Sequence, residues 1–450
     1  MTKFIPQKLK NYYHLTKAIL ANVLYGMPSK KINPHTNFLP SFLVSFLHLH
    51  GIGVGVKVIG VTGTNGKTTT VQMIAKILEE AGKKIAVAST INFKLRDKEW
   101  VNVTKFTTLS SFQVQRFISQ AIKAQCEYVV LEISSHSLDQ YRTWGINFDT
   151  AVVTNVTREH LDYHKTMENY RQAKAKLFKN AKNAVINLDM EGVEDFLKYD
   201  NKNKFLYSCH SELGSESRFR TKSGMTSVKA ENIELGIDYT KYKIQDTEYQ
   251  LNLPGLFNIE NALAATCVGM AYNISPEIIK RALERVKSVP GRMEKVVNDK
   301  NIEIIIDYAV TPDSLKKIYD LISKNKKEGS KIISVFGACG ERDRGKRPMM
   351  GEIVSNFADY IILTNEDPYG ENPDQIIDEV LSGIKNKKEG KNFWRIMDRR
   401  EAIRKGLQLA QPGDIFVITG KGAEETMAIG KKRIPWNDKK VILEELERMN

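Results

Sequence analysis

The segment Thr62-Gly63-Thr64-Asn65-Gly66-Lys67-Thr68-Thr69-Thr70 follows an apolar run at 56–61 and precedes a helical period at 68–81. A strand, a glycine-rich turn, Lys-Thr and a helix make the context that a phosphate loop requires. Glycines let backbone N–H groups approach phosphate oxygens, and the helix N-terminus favours their negative charge. Lys67 would reach the terminal phosphates, and the Thr68 hydroxyl would ligate magnesium. Val61 stands where the full pattern has glycine, so the match is to the shorter GxxGK[ST] form. A tight turn without phosphate is the plainer alternative.

Two further groups carry chemistry. The apolar run 128–133 brings Glu132 to the carboxyl end of a buried strand, where a carboxylate can hold magnesium or, more plainly, cap the next turn. The segment 166–178 reads as a helix whose apolar positions Tyr170, Leu177 and Phe178 share one face. Lys174 falls in that stripe, whereas Lys176 and Lys179 do not. A buried lysine is costly unless it is paired, chemically altered or able to snorkel past the stripe's edge. His160, Asp162 and His164 lie just upstream, so a histidine and a modified lysine could converge on a metal there.

These groups need elements to place them. Strands are expected at 56–61, 85–89, 128–133, 150–154 and 184–187, with helices at 68–81 and 112–124 between them. Such alternation reads as a mostly parallel α/β sheet. A more β-like stretch follows at 204–253. Helices come next at 258–271 and 276–286, the second with Ser275 as cap and Pro276 at its first position. Ser288-Val289-Pro290-Gly291 punctuates the chain and is the expected boundary. Beyond it the alternation restarts, with strands at 302–306, 332–336, 360–363 and 415–418.

With 450 residues, 42% of them hydrophobic and 27% charged, the chain can build two or three ordinary globular domains. A net charge of +14 suits nucleic acid, a membrane surface or anionic small substrates. Much of it lies in Lys324-Asn325-Lys326-Lys327, Lys385-Asn386-Lys387-Lys388 and Lys431-Lys432-Arg433, which read as solvated loops. No aromatic residues interleave them, against a single-strand nucleic-acid groove. Cys126, Cys209, Cys267 and Cys339 form no CxxC pair, against a zinc ribbon or a disulfide scaffold and in keeping with a reducing cytosol. The N-terminal residues show no signal-peptide pattern. The helix-like stretch 12–25, ending at Gly26, would pack on the next domain or lie on a membrane surface. The apolar stretch 38–50 is too short to span a bilayer.

The phosphate loop resembles that of the Mur ligases. His160-Leu161-Asp162-Tyr163-His164, Met167-Glu168-Asn169-Tyr170, Ala173-Lys174, Asp307-Tyr308-Ala309, Thr311-Pro312-Asp313-Ser314-Leu315 and Arg342-Asp343-Arg344-Gly345-Lys346-Arg347-Pro348 are similar to the MurE version. The resemblance covers about residues 56–440. It implies an α/β chain with a central P-loop-type ATPase domain at 56–290, mostly parallel in its sheet. A C-terminal Rossmann-like domain at 291–450 would bind the amino acid, after a short helical segment at 1–55 in place of a uridine-binding domain. It further implies an ATP- and Mg²⁺-dependent ligase that makes an acyl phosphate and then an amide. The acceptor would be a UDP-muramoyl-peptide, the partner a free amino acid, the pathway peptidoglycan synthesis and the compartment the cytoplasm, with no nucleic acid.

By that resemblance Lys174 matches a carbamylated lysine that binds a second magnesium with His160, while Glu132 and Thr68 serve the first. Gly63, Thr64, Asn65, Gly66, Lys67, Thr68 and Thr69 would hold the phosphates. Asn258 and Asn261 would hold adenine, Arg292 a phosphate and Asp307 the ribose. Thr107, Thr108, Ser134, Gln140 and Arg142 match contacts to the acceptor, and Arg342, Asp367, Gly420 and Glu424 contacts to the amino acid. The chain departs from the family at Val310 and Ala423, where histidine is usual. It also carries Glu366-Asp367-Pro368-Tyr369 where diaminopimelate-adding members have Asp-Asn-Pro-Arg, which leaves the amino acid open. A different acceptor (lipid-linked or folate-like) and a non-catalytic nucleotide-binding relative are the alternatives.

Overall fold

A computed structural model describes residues 7–25, 56–104, 106–209 and 224–449. The apolar stretch 38–50 and Gly26 lie outside them. Apolar runs and helical periods assemble into two main sheets. The larger has nine strands in the order β4-β3-β2-β5-β1-β6-β7-β8-β9. They are β1 (Lys57–Thr62), β2 (Ile85–Ala88), β3 (Asn92–Leu95), β4 (Lys98–Val101), β5 (Tyr128–Glu132), β6 (Phe148–Val153), β7 (Asn183–Asn187), β8 (Asn203–Ser208) and β9 (Met225–Lys229). Neighbours from β2 to β9 run parallel, and β3 and β4 add an antiparallel ribbon at one edge. Apolar clusters cover both faces of this sheet. That is why β1 and β5 read as continuous apolar runs rather than alternating ones.

The central strand β1 pairs with β5 on one side and β6 on the other, with Val61 opposite Glu132 and Thr62 opposite Val153. This register brings three carboxyl ends level. Loops leaving such a point diverge and open a crevice, which is where open α/β sheets bind ligands.

The stretch expected to be β-like at 204–253 divides. Its first part supplies β8 and β9, and its second forms a separate antiparallel sheet of β10 (Glu231–Leu235), β11 (Thr240–Ile244) and β12 (Thr247–Leu251). Helix Leu256–Ala271 then packs on helix Lys67–Glu80. Its face carries Ala262, Ala264 and Ala265, all fully buried, which lets the two backbones approach closely. Ser275 occupies the cap position of helix Pro276–Glu284 but its side chain makes no capping bond there.

The smaller sheet contains β13 (Glu294–Val296), β14 (Glu303–Asp307), β15 (Ile332–Phe336), β16 (Tyr360–Leu363), β17 (Phe393–Arg395) and β18 (Ile415–Thr419). Their order is β13-β14-β18-β15-β16-β17, all parallel except β13. Thr311 and Ser314 close a capping box on helix Pro312–Asn325, so this start follows the signals in its sequence. A final ribbon joins β19 (Thr426–Ile429) to β20 (Lys432–Pro435). Two charge runs depart from the loop expectation. Lys324 lies in helix Pro312–Asn325, and Lys432 and Arg433 lie in β20, a ribbon edge exposed along its length. A strand without cover leaves its side chains in water, so basic residues fit there.

The N-terminal helix Gln7–Tyr25 packs on helix Ser111–Lys123 through a face that buries Ala18 and Ala21. Asn11 Nδ2 donates to Asp139 Oδ2 at 3.4 Å. Tyr12, Tyr13, Leu20 and Leu24 remain exposed on it. Among the described residues no helix is long and apolar enough to cross a membrane.

Candidate active site

The loop after β1 is held from several sides. Thr64 N donates to Asn155 O at 2.8 Å, Asn65 N to Asn155 Oδ1 at 2.9 Å, and Thr154 Oγ1 to Asn65 O at 2.6 Å. Gly66 adopts φ 81°, and a Cβ on it would stand 2.2 Å from Asn261 Oδ1. Only glycine suits that position. Lys67 is half-buried and donates to Thr64 O at 2.8 Å. Burial pulls its ammonium below the usual lysine value, Glu132 and Glu159 work against this, and Arg292 adds to it.

Glu132 is 3% exposed, and its oxygens accept from the Thr68 hydroxyl at 3.1 and 3.0 Å, Thr90 N at 2.7 Å and Thr90 Oγ1 at 2.9 Å. A carboxylate and a hydroxyl so close, beside a phosphate loop, form a donor set that fits a hard divalent cation. Among the described residues no three His, Cys, Asp or Glu side chains gather as a ready metal cage. A second ion would draw on His160, which lines the same cleft.

Lys174 is 1% exposed, as its place in the stripe predicts. Its Nζ donates to Gly63 O at 2.6 Å and stands 4.4 Å from the centre of the Tyr170 ring. Among the described residues it has no carboxylate within ion-pair distance. Burial, and secondarily Lys67, holds its amine well below the usual lysine range. A neutral amine is the form that adds CO₂, so this environment fits carbamylation. Lys174 lies behind the phosphate loop, outside the cleft lining.

The cleft between the two sheets has a cavity volume of about 260 Å³. Thr64, Asn65, Gly66, Lys67, Thr68, Thr69, Glu132, His160, Asn258, Asn261, Arg292 and Asp307 all face it, as do Thr107, Arg342, Asp367 and Glu424. Asn258 and Asn261 stand together, with Asn261 Nδ2 to Asn258 Oδ1 at 3.3 Å, and Thr70 Oγ1 ties Asn261 to the phosphate loop at 3.2 Å. Arg292 crosses from the smaller sheet's side, with Nη2 3.3 Å from Thr68 Oγ1. Burial raises the Asp307 carboxyl to about 6 against the opposing pull of Arg292 and the Met293 N–H.

Other expected residues sit differently. Thr108, Ser134 and Arg142 form a cluster outside the cleft lining: Thr108 Oγ1 donates to Glu132 O at 3.0 Å, Ser134 N to Thr108 Oγ1 at 2.8 Å, and Arg142 Nη1 to Thr108 O at 3.0 Å. Among the described residues Arg142 Nε, which is buried, has no hydrogen-bond partner. Gln140 caps the short helix Ser135–Asp139 and does not reach the cleft. Gly420, at φ 110°, lies over Glu366, which a Cβ would strike at 2.4 Å.

Sequence reasoning did not single out the pair that joins the two halves. Lys346 Nζ donates to Glu159 Oε1 at 2.8 Å, with side chains 3% and 7% exposed. Arg158 and Asp343 stand 3.6 Å apart beside them. Asn65 Nδ2 reaches Asp313 Oδ2 at 3.0 Å across the same boundary. Glu159 precedes His160 and Lys346 lies in the Arg342–Pro348 motif, so adjacency to singled-out residues was the available signal.

Comparison with known proteins agrees with this geometry. The family model described as Mur ligase middle domain matches residues 61–269, and that described as Mur ligase, glutamate ligase domain matches residues 291–422. The UDP-N-acetylmuramoyl-L-alanyl-D-glutamate–2,6-diaminopimelate ligase of Clostridium botulinum is 37% identical over 433 residues, 95% of this chain and 80% of its own length. Its counterpart in Aquifex aeolicus is 39% identical over 391 residues, 86% and 77% of the two chains. A solved structure of a ligase of that name superposes with TM-score 0.59 at 30% identity, covering 90% of this chain and 81% of that one. Mycobacterium tuberculosis folylpolyglutamate synthase complexed with ADP shares the fold, with TM-score 0.64 at 16% identity over 90% and 96% of the chains.

Proposed function

The chain belongs to the Mur ligase family, and on that premise we propose that it adds an amino acid to a UDP-muramoyl-peptide in peptidoglycan synthesis. It is an ATP-dependent, ADP-forming amide ligase that uses magnesium. One observation carries the reading: the phosphate loop, Glu132 and His160 from one sheet face Arg342 and Glu424 from the other across a single cleft.

In the mechanism this supports, Lys67 and Arg292 meet the γ-phosphoryl oxygens of ATP while the acceptor carboxylate attacks phosphorus, ADP leaves and an acyl phosphate forms. Thr68 and Glu132, and His160 together with a carbamylated Lys174, would hold magnesium, which when bound would supply positive charge to the phosphoryl oxygens. Arg142, whose Nε lacks a hydrogen-bond partner among the described residues, would meet the acceptor, and the Thr108–Ser134 pair acts behind it by holding the Thr108 carbonyl that accepts from Arg142 Nη1. Arg342 anchors the incoming amino acid, whose amine attacks the acyl carbon; phosphate leaves and an amide remains. The paired halves keep water from the acyl phosphate.

The domain limits that accompany this reading are 1–55, 56–290 and 291–450. We place the reaction in the cytoplasm, in keeping with four unbridged cysteines. We also propose that the outward side of helix Gln7–Tyr25, with Tyr12, Tyr13, Leu20 and Leu24 exposed, touches a membrane surface. Deleting residues 1–50 should lower co-sedimentation with liposomes, and an unchanged pellet would refute that contact. The ligase reading is tested by phosphate release from ATP with UDP-N-acetylmuramoyl-L-alanyl-D-glutamate and a panel of amino acids. Release that needs both acceptor and amino acid supports it; release indifferent to both refutes it.

A further inference from the structure

The inner face of helix Gln7–Tyr25 lies against the segments that carry the expected acceptor contacts. The helix packs on helix Ser111–Lys123, which begins just after Thr107 and Thr108. Asn11 Nδ2 donates to Asp139 Oδ2 at 3.4 Å, and Asp139 also accepts from Lys176 Nζ at 2.7 Å. Asp139 ends the short helix Ser135–Asp139, and the chain then turns sharply. Tyr141 takes φ 53°, a left-handed value that a bulky residue keeps when its surroundings impose it. The turn brings Arg142 back, with its backbone N–H on Ser137 O at 2.8 Å. Asn11 and Lys176 thus brace the strained turn from which Arg142 projects.

The same helix carries His14, three positions after Asn11 and so on one face with it. Its imidazole is near enough to Arg142 to feel the guanidinium. Burial first, then Arg142 and Lys17, hold it below the usual histidine value. A neutral ring adds no like charge beside the guanidinium. Arg142 Nη1 donates to Thr108 O at 3.0 Å, its buried Nε has no partner among the described residues, and no carboxylate of those residues lies within ion-pair distance. A guanidinium shielded from water with a donor unmet attracts an anion more strongly than one on an open surface.

Resting on the ligase reading above, we propose that the inner face of the N-terminal helix is part of the acceptor subsite, with Asn11 and His14 as positioning residues that keep Arg142 shielded from water and aimed at an anionic group of the acceptor. The outward side of that helix takes no part in this.

The test uses the full chain with ATP, magnesium, UDP-N-acetylmuramoyl-L-alanyl-D-glutamate and the amino acid that gives the parent its fastest phosphate release. In the double variant Asn11→Ala with His14→Ala, the KM for the acceptor should rise by about 10-fold or more, while kcat and the KM for ATP stay within about threefold. His14→Gln, which keeps a polar tip at that place, should stay closer to the parent than His14→Ala. A helix that served stability alone would move kcat and both KM values together. An acceptor KM within about threefold of the parent, or equal losses for acceptor and ATP, would overturn the inference and leave the ligase reading standing. Where the double variant fails to fold, His14→Ala at its half-buried position decides by the same comparison. A parent that releases no phosphate with any amino acid refutes the ligase reading and this inference with it.

Discussion

Lys346→Met isolates the contact that holds the two halves of the cleft together. The methionine keeps the length of the stem and removes the charge that Glu159 Oε1 meets at 2.8 Å. Both side chains are almost fully enclosed, and among the described residues Glu159 Oε2 has no hydrogen-bond partner. Leaving that carboxylate buried and unmatched would cost about 3–5 kcal/mol if the halves stayed closed. The chain can escape the cost by opening, because the pair joins segments 187 positions apart that belong to different sheets. The penalty then falls on the closed form alone. At 1.4 kcal/mol per tenfold, closure becomes roughly 100- to 4,000-fold less favourable. Because closure completes the site, kcat/KM for the amino acid should fall by a similar factor. ATP binding, measured by fluorescent-nucleotide titration, should change less, since Lys67, Thr68 and Asn261 lie on one side while Arg292 reaches the phosphates from the other. The charge-swapped double variant Glu159→Lys with Lys346→Glu should recover a large share of the loss. A kcat/KM within about threefold of the parent for Lys346→Met, or a double variant no better than the single ones, would refute the reasoning.

Lys174→Ala should abolish ligation, with partial rescue by added bicarbonate or a short carboxylic acid; full turnover by the variant would remove the carbamate role. Gly66→Ala places a methyl where Asn261 Oδ1 stands 2.2 Å away and should raise the KM for ATP by about 10-fold or more; an unchanged KM contradicts the loop geometry. Burial lifts the Asp307 carboxyl to about 6, so its share of stability is complete below the unfolded value and is lost as pH rises through the folded one. Relative to Asp307→Asn, the parent should therefore lose on the order of 2–3 kcal/mol between about pH 4 and 7, read by denaturant unfolding. A pH-independent difference would contradict that burial.

The sequence makes the sheets legible because both faces are covered. Ile332–Phe336 and Tyr360–Leu363 are buried along almost their whole length, and a continuous apolar run announces such strands without ambiguity. Lys174 was legible for the same reason, as one charge among apolar neighbours at helical spacing. The stretch 204–253 was less so. β10 is largely exposed and β11 alternates buried with half-buried residues, and nothing local separates them from β8 and β9, which join the main sheet. Contacts that depend on how the two halves meet left only adjacency to singled-out residues as a signal. Glu159 and Lys346 each look like a surface charge until the fold puts them together. The acceptor cluster shows the same limit, since Thr108 and Ser134 spend their hydroxyls on each other and on the Glu132 backbone rather than facing the cleft.

The central claim is that an acceptor carboxylate is made reactive toward nitrogen by taking phosphate from ATP. It is tested most directly by labelling that carboxylate with heavy oxygen and recovering the phosphate released during turnover. The account predicts a heavy oxygen carried from the acceptor into inorganic phosphate, with formation of amide and ADP. Amide formed while the phosphate stays unlabelled would contradict it.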